Sequence, residues 1–596
     1  MGERSRGPVP PGGEKSQRQN TNRRKRTKKA REMHHTINRF IEKLKDPKER
    51  KYFFALLGGK ALGVGLCLLV MFAASAYLNK AHGQTAAPAA SAAPAAAAPA
   101  AATTAPATAA PATPAAAATP AAPTVDSNGN PLYVNPINTM WVLVTAFLVF
   151  FMQAGFMFLE AGFARTRESV NVMLEGIVDT SLCGILFYMW GFAWMFGHGN
   201  GLIGWGDASG HPWYFLQNLP DTYESTGVAT IAVFLFQFAF ADTCSTITSG
   251  AMVGRTGFWG DLWYSLGVSG FIYPIFGHWA WGPDGWLNTI PFWKAAPFHD
   301  FAGSTVVHTI GGTIALAGAI VLGPRLGRKF KRDGGGPMPA HNMLIAAVGA
   351  IILWFGWYGF NPGSTLSAMD YIGVARVATN TTLAACAGGL AAMFYVYPRS
   401  KKWDCGMCLN GLLAGLVAIT CPCYWVSGLG SILIGVGAGV VVVWGTDLLE
   451  WLRIDDPCGA WPVHGLAGMW GTYSLGLFAT GQFGAPTPTG ADNSAGSVVA
   501  GLFYGGGVNQ LVAQVIGNTS ICLGVFVVSM ALMYAVKATG TLRISAEGEQ
   551  EGLDLHEHGG EAYPEAVISH HGHTSAASAS NGRPVGAGYP ATAGNA

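Results

Sequence analysis

Residues 300–308 read Asp-Phe-Ala-Gly-Ser-Thr-Val-Val-His, and residues 456–464 read Asp-Pro-Cys-Gly-Ala-Trp-Pro-Val-His. In both stretches Gly follows Asp by three positions and His follows Asp by eight. Each stretch opens a long apolar segment, where ionisable side chains are expensive in a membrane and by default functional. The alternative is that the histidines only fill packing sites, which suits a lone histidine better than a pair that shares one frame.

The composition around these stretches is that of a membrane protein. The 596 residues are 50% hydrophobic and 12% charged, which is about half the ~25% charge of a soluble domain. Residues 131–540 hold 34 Asp, Glu, Lys and Arg among 410 residues, too few to cover a soluble globule of that size. We therefore predict an all-α polytopic membrane protein, with no enzymatic activity and no nucleic-acid partner.

Eleven apolar segments in this body are long enough to cross a membrane as helices. They are predicted near 136–161, 171–197, 228–251, 258–281, 301–323, 341–360, 373–397, 408–427, 430–449, 461–480 and 512–536. Lys and Arg concentrate in alternate loops, with Lys294 and Arg376 as the exceptions. By the positive-inside rule this pattern predicts a mature N-terminus outside and a C-terminus in the cytoplasm.

The chain divides into four regions by composition. Residues 1–84 combine a basic head with the apolar run Ala61–Leu78, which is typical of a signal peptide that starts at Met1 or Met33, or of an uncleaved anchor. Residues 85–130 form an Ala/Pro-rich linker, which cannot bury a core. Residues 131–540 form the membrane domain, and residues 541–596 form a polar cytoplasmic tail.

Two groups of potential metal ligands are only weak evidence for a metal site. The pairs Cys405/Cys408 and Cys421/Cys423 flank a predicted helix, so they are separated by far more than the ~2.3 Å at which zinc binds sulfur. The tail contains a histidine cluster at His570, His571 and His573, for which a solvated segment is favoured over a metal site. We expect no cofactor and no bound metal.

The two Asp-to-His stretches run in opposite directions. They lie five predicted helices apart, an odd number, so Asp300 begins the fifth helix outside and Asp456 begins the tenth inside. Eight residues at ~1.5 Å each place His308 and His464 near the midplane from opposite sides. This arrangement is typical of an inverted repeat, helices 1–5 against 6–10, with a site at its centre. Two neutral imidazoles there suit a small polar solute that both donates and accepts hydrogen bonds.

Aromatic residues mark the predicted outer approach to the histidines. Trp281 ends the fourth helix, and Phe360 ends the sixth helix shortly before Ser364. An aromatic face and a hydroxyl group suit a small cation, although Trp281 alone is equally typical of the interfacial tryptophan belt. Phe240 in the third helix suits either the pore entrance or the core.

Four motifs together resemble the ammonium transporter (Amt/Mep/Rh) family, and bacterial and plant-type Amt members most closely. They are Phe238-Ala-Phe240, Asp300-Phe-Ala-Gly-Ser-Thr-Val-Val-His308, Gly356-Trp-Tyr-Gly-Phe-Asn-Pro-Gly-Ser364 and Asp455-Asp-Pro-Cys with Val-His-Gly465. The resemblance runs from about Asn135 to Tyr563. It implies a homotrimer in the cytoplasmic (inner) membrane, with one ammonia- or ammonium-conducting pore in each subunit and a place in nitrogen metabolism.

The resemblance also implies roles for single residues. Trp281 and Ser364 would recruit ammonium, and Phe240 and Phe360 would gate the pore. His308 and His464 would be the twin pore histidines, and Asp300 would support the outer site. For the tail, the resemblance implies docking of PII-type signalling proteins by Gly552, Leu553, Asp554, His556 and His558.

Two departures from the family pattern keep other functions open. Cys244 stands where many bacterial members carry a second stacked Phe, and Asp242 is unusual in the third helix. An ammonium sensor that signals through its tail is therefore an alternative to a transporter. A channel for water, carbon dioxide or urea is disfavoured, because neutral solutes gain nothing from a cation-binding aromatic site.

Overall fold

The computed structural model describes residues 124–126, 129–289, 296–494 and 496–563. The predicted signal peptide or anchor, most of the linker and the histidine cluster of the tail lie outside these residues. The described part is predominantly helical, with two small antiparallel hairpins, β1 (His198–Gly199) with β2 (Gly204–Gly206) and β3 (Ala485–Thr487) with β4 (Gly490–Asp492).

The long helical segments are numbered here in chain order. They are α1 (Val134–Phe163), α2 (Thr166–Phe196), α3 (Thr230–Gly250), α4 (258–281), α5 (Ser304–Leu322), α6 (Met343–Gly363), α7 (Tyr371–Ser400), α8 (Cys405–Thr420), α9 (Gly428–Leu452), α10 (461–478) and α11 (Asn509–Thr539). Two short helices, α12 (Ala546–Glu551) and α13 (Leu553–His558), follow in the tail.

Eight of these segments are long and apolar enough to cross a membrane: α1, α2, α3, α5, α6, α7, α9 and α11. Of the other three, α8 is shorter. Like α2 and α5, α4 and α10 each contain a π-helical turn, Val268–Ile272 and Trp461–Leu466. Large apolar side chains face outward on the long helices, including Phe147, Leu344 and Val527. Exposed apolar surface of this extent is what a helical bundle presents to lipid.

Side-chain caps start several of the helices. Asn342 accepts hydrogen bonds from the backbone N–H groups of the first turn of α6, and Asp370, Asp404 and Ser427 do the same for α7, α8 and α9. Such caps satisfy N–H groups that have no partner within the helix.

The end of α8 differs from the prediction, which extended this helix to 427. It ends at Thr420, and a turn that contains Pro422 connects it to α9. The proline ring lacks an N–H and clashes with the preceding helical turn, so the helix stops before it. This early end leaves the Thr420 and Cys421 carbonyl groups free to accept hydrogen bonds from the backbone N–H groups of Ala302 and Phe301, just before α5.

Candidate functional site

Asp300 and Asp456 bind the backbone at the beginnings of α5 and α10 in the same way. The two carboxyl oxygens of Asp300 accept hydrogen bonds of 2.9–3.0 Å from the N–H groups of residues 303–306. Those of Asp456 accept bonds of 2.9 Å from residues 459–461. Burial raises the pKa of each aspartate to about 6, and the backbone donors oppose the rise. Both are therefore mainly ionised at neutral pH.

A π-helical turn follows each aspartate and carries the histidine. These turns are Ser304–Thr309 and Trp461–Leu466. Gly303 and Gly459 precede them with φ values of +115° and +74°, a region that glycine enters without the penalty of a Cβ atom. The spacing seen in the sequence therefore corresponds to one local structure, built twice.

His308 and His464 meet in the interior, with their Nδ1 atoms 3.2 Å apart. Their exposed fractions are 0% and 5%. When both rings are neutral, one Nδ1 donates and the other accepts, so one Nε2 is left as an acceptor and the other as a donor. Nε2 of His308 has no hydrogen-bond partner in the described structure. The pair thus presents complementary polar atoms to a small solute.

Aromatic rings enclose the histidine pair. Trp357 stacks on His308 with ring centroids 5.2 Å apart, and its Nε1–H donates to Thr420 Oγ1 at 2.9 Å, which fixes the indole. Phe156 lies 6.3 Å from His464. Trp357 is not among the predicted site residues, and the signal that points to it is its place inside one of the four motifs, three positions before Phe360.

Phe240 and Phe360 form a stacked pair above the histidines. Their ring centroids are 3.9 Å apart with an interplanar angle of 22°, and both side chains are fully buried. Phe360 also stacks on His308 at 5.4 Å, and Phe240 contacts Trp281 at 6.1 Å. A continuous series of aromatic contacts therefore leads from Trp281 to the histidine pair.

Trp281 and Ser364 line a cavity of about 330 Å³ beyond the phenylalanine pair, together with Asp300, His299 and Trp425. The indole Nε1–H of Trp281 donates to the Asp300 carbonyl oxygen at 2.7 Å, and Ser364 Oγ donates to the Phe360 carbonyl oxygen at 2.8 Å. Burial lowers the pKa of His299 to about 4. This imidazole is therefore uncharged at neutral pH and does not repel a cation from the cavity.

The predicted docking residues of the tail fall into two groups. Leu553 and Asp554 are buried, and Asp554 Oδ1 accepts the backbone N–H of Asn171 in α2 at 2.9 Å. His558 Nε2 lies 2.9 Å from the Asn171 side-chain oxygen. Burial raises the pKa of Asp554 and lowers that of His558. These residues attach the tail to the bundle.

The other two tail residues differ. Gly552 adopts φ = +111° between α12 and α13, and His556 is exposed, with Nδ1 at 2.8 Å from Glu551 Oε2. Of the two tail histidines that the structure describes, His556 is thus the more available to a partner. Among the described residues, no group of three or more His, Cys, Asp or Glu side chains is placed to hold a metal ion.

Apolar helices with outward-facing apolar side chains, a buried polar pair and an outer cavity define a polytopic helical membrane protein of the transporter class. The model of the family described as Ammonium Transporter Family matches residues 140–563. The chain therefore belongs to the ammonium transporter family.

Known relatives cover most of the chain. Ammonium transporter Amt2 of Archaeoglobus fulgidus is 42% identical over 442 residues, which are 73% of this chain and 90% of that protein. A putative ammonium transporter of Synechocystis is 40% identical over 431 residues, 71% of this chain and 88% of that protein.

Solved structures share the fold. The structure named Sensor Amt Protein has a TM-score of 0.62 and 34% identity, covering 72% of this chain and 99% of that chain. Mep2 of Candida albicans has a TM-score of 0.61 and 25% identity, covering 70% of this chain and 90% of that chain.

Proposed function

We propose that this protein carries ammonium, as ammonia or as the ion, across the cytoplasmic membrane through one pore in each subunit lined by His308 and His464. The observation that carries the proposal is the 3.2 Å contact between the two buried Nδ1 atoms. A hydrogen-bonded imidazole pair is a polar stripe in an apolar wall, which favours a small solute with both donor and acceptor capacity.

The outer part of the pore selects the solute in this proposal. Ammonium enters the cavity next to the face of Trp281 and the hydroxyl oxygen of Ser364, which attract a cation by its charge and by a hydrogen bond. An N–H bond of ammonium breaks, and its proton passes to water in the outer cavity, before the stacked rings of Phe240 and Phe360, because a bare cation is costly to move between apolar rings. Ammonia passes to the histidines, which also suit proton relay.

The proposed architecture has eleven spans, with α1–α5 and α6–α10 as an inverted repeat. The three segments that are not among the eight long apolar helices, α4, α8 and α10, also pack in the bundle, and α10 carries His464. The matching hydrogen-bond patterns of Asp300 and Asp456 support the repeat. Residues 131–540 form this transport domain.

The surroundings of the pore complete the proposal. The protein is a homotrimer surrounded by lipid, with residues 1–84 directing export and residues 85–130 outside. Its C-terminal residues 541–596 lie in the cytoplasm, where the tail helices contact a PII-type signalling protein. The alternating Lys and Arg of the loops support this orientation.

Methylammonium uptake by cells that lack their own carrier tests the transport function. Wild type should accumulate the label, and His308→Ala should lose most of this uptake while still forming trimers on size exclusion. If wild type and His308→Ala are equally inactive as intact trimers, the transport function is wrong. Currents evoked by ammonium in reconstituted liposomes then decide whether the transported species carries net charge.

An ammonium sensor that signals through its tail is the second candidate. It is favoured by the 34% identity to the structure named Sensor Amt Protein and by the substitutions Cys244 and Asp242, both fully buried in α3. Large ammonium currents from the purified protein in liposomes would exclude sensing as its only role. Sensing would be supported if ammonium binds without producing current and the hydrogen-exchange rates of the tail change on binding.

A further inference from the structure

A second, smaller cavity lies on the side of the histidine pair remote from Phe360. Its volume is about 20 Å³, and His464 forms part of its wall. In this measure a water molecule needs ~10–15 Å³, so the cavity holds one molecule the size of water or ammonium. Glu160 of α1 and Asn410 of α8 supply two of its polar side chains.

Glu160 is a buried carboxyl group with no basic partner. Its exposed fraction is 4%, and Oε2 accepts a hydrogen bond from Ser249 Oγ at 2.9 Å. Within the described ranges, no Lys or Arg nitrogen lies within 4.0 Å of this carboxyl group. The charged groups that act on it through space, or on which it acts, are Asp261, Asp456 and Glu175, and all three are themselves acidic. A carboxylate in such surroundings is stabilised by a cation.

Asn410 provides a second unused acceptor. Its Nδ2 donates to the Cys458 carbonyl oxygen at 3.1 Å, and a carbonyl oxygen accepts only from the nitrogen end of the amide. The oxygen end is thereby fixed, and this buried Oδ1 has no hydrogen-bond partner in the described structure. Unpaired buried oxygens are uncommon and call for a ligand or water.

We propose that Glu160 and Asn410 form an inner binding site for ammonium, next to His464 at the cytoplasmic end of the pore. The site rests on the proposed transport function and extends it. The cation neutralises the Glu160 carboxylate and donates to Asn410 Oδ1, while the adjoining cavity wall is apolar. Ammonia that leaves the histidine pair takes up a proton here: a new N–H bond forms, and an O–H bond of the protonated Glu160 carboxyl group breaks.

Membrane vesicles of both orientations separate this site from the outer one. Inside-out vesicles present the cytoplasmic end to added ammonium chloride, and right-side-out vesicles present the Trp281 cavity. A hydrogen bond to a charged group contributes about 1.5–3 kcal/mol, so Glu160→Gln should raise the half-saturating concentration roughly 10-fold or more at the inner face. At the outer face the change should stay within about twofold, since that cavity is untouched.

A matched control makes the same chemical change outside the cavity. Glu175 of α2 is also buried, and its Oε1 accepts from Asn171 Nδ2 at 2.9 Å. Glu175→Gln should leave the half-saturating concentration at both faces as in wild type. Equal shifts at the two faces, or equal shifts for Glu160→Gln and Glu175→Gln, would overturn the inner site. If Glu160→Gln does not form trimers, Glu160→Asp and Ser249→Ala serve, with smaller shifts at the inner face alone.

The same experiment distinguishes failure of the site from failure of the transport function. Wild-type current with no inner-face change in Glu160→Gln rejects the inner site only. If wild type gives no current from either face, the transport function is rejected. Thermal stabilisation by ammonium then tests whether the inner site exists. Ammonium chloride, compared with sodium chloride, should raise the Tm of wild type more than that of Glu160→Gln. Ammonium bound at the inner site stabilises the folded wild type, and the variant lacks this contribution. Equal stabilisation of both proteins would overturn the site.

Discussion

The carboxyl groups of Asp300 and Asp456 occupy equivalent positions, each holding the N–H groups of the third, fourth and fifth residues that follow it. Each aspartate thereby fixes a glycine, a π-helical turn and a histidine in the same relative geometry. The contact between His308 and His464 depends on both aspartates, because neither turn has a side-chain cap within itself.

Asp300→Asn should therefore disrupt the contact between His308 and His464, although residue 300 contacts neither histidine side chain. In the variant, the side-chain amide nitrogen takes the place of one carboxylate oxygen that accepts from two backbone N–H groups. Because this nitrogen is itself a donor, two hydrogen bonds to a charged group are lost. We expect a loss of about 3 kcal/mol in unfolding free energy, seen as a lower Tm of the trimer, together with reduced methylammonium uptake. Asp456→Asn should cost about 1.5 kcal/mol, because Oδ2 of Asp456 accepts only one N–H group and the amide nitrogen can take its place. Wild-type Tm in either variant would contradict the capping role.

Phe360→Ala should open the route between the outer cavity and the histidines. The ring of Phe360 contacts both Phe240 and His308, so its removal leaves a gap that water can enter. We expect osmotic water flow through proteoliposomes to rise above that of wild type, measured by stopped-flow light scattering. Phe276→Ala removes a buried ring that packs on Trp279 instead and should leave water flow unchanged. Equal flow in Phe360→Ala and wild type would count against a gate.

Trp281→Leu should weaken ammonium capture at the outer cavity. A cation–π contact contributes about 1 kcal/mol, which corresponds to a roughly fivefold higher half-saturating concentration. Trp281→Phe keeps an aromatic face and loses only the hydrogen bond to the Asp300 carbonyl oxygen, so its shift should be smaller. Concentration dependence of ammonium currents measures both. Identical shifts in the two variants would show that the hydrogen bond of the indole to Asp300, and not its aromatic face, is what ammonium capture requires.

The pairing of the histidines could be predicted from the sequence because both copies of the Asp–Gly–His frame are present. Because the two stretches share one spacing, both are expected to form the same local structure and to run in opposite directions. The thickness of the membrane then places both histidines near its midplane. The family followed from the motifs, and the membrane-protein class followed from the low content of charged residues. Glu160 and Asn410 have no such frame, since each is a single polar residue in an apolar segment. Trp357 stands inside a motif, but the motif does not show that its ring contacts His308. Their role depends on which residues of distant helices surround them.

The end of α8 shows a different difficulty. The apolar run continues through Pro422 and Cys423, so hydropathy alone extends the helix, and only the proline geometry ends it. In the tail, Leu553 and Asp554 belong to a motif assigned to partner docking, but their side chains are buried against the bundle. A motif identifies the segment, whereas burial decides which of its residues reach a partner.

Asp554→Ala should loosen the tail. The Asp554 carboxylate accepts the N–H of Asn171, and loss of a helix-capping acceptor costs about 1 kcal/mol. Hydrogen exchange of residues 545–558, measured by mass spectrometry, should become several times faster. Asp554→Asn retains an acceptor oxygen and should show a smaller increase. Exchange as slow as in wild type would mean that Leu553 alone holds the tail to the bundle.

The ion pair of Asp455 with Arg325 should make stability depend on acidic pH. The Arg325 guanidinium donates to both carboxyl oxygens of Asp455, at 2.8 and 3.0 Å, and the Arg325 backbone N–H donates to Oδ2 at 3.0 Å. Arg328 adds a fourth bond at 3.1 Å. Burial alone raises the pKa of Asp455, but the bonds and charge of Arg325 and the charge of Arg255 lower it below its ordinary value of 3.8.

A carboxyl group with a lowered pKa in the folded state stabilises the fold above its unfolded pKa. The contribution of Asp455 should be complete above about pH 5 and should decrease as the pH falls through 3.8 toward the folded value. Removing one partner of a buried pair costs about 3 kcal/mol, so Asp455→Asn should lower the Tm clearly at pH 7. The Tm difference from wild type should shrink at pH 3. Asp333→Asn breaks the solvent-exposed pair with Arg453 and should change Tm much less. A Tm difference for Asp455→Asn that is the same at pH 7 and pH 3 would show that the carboxylate charge does not stabilise this loop.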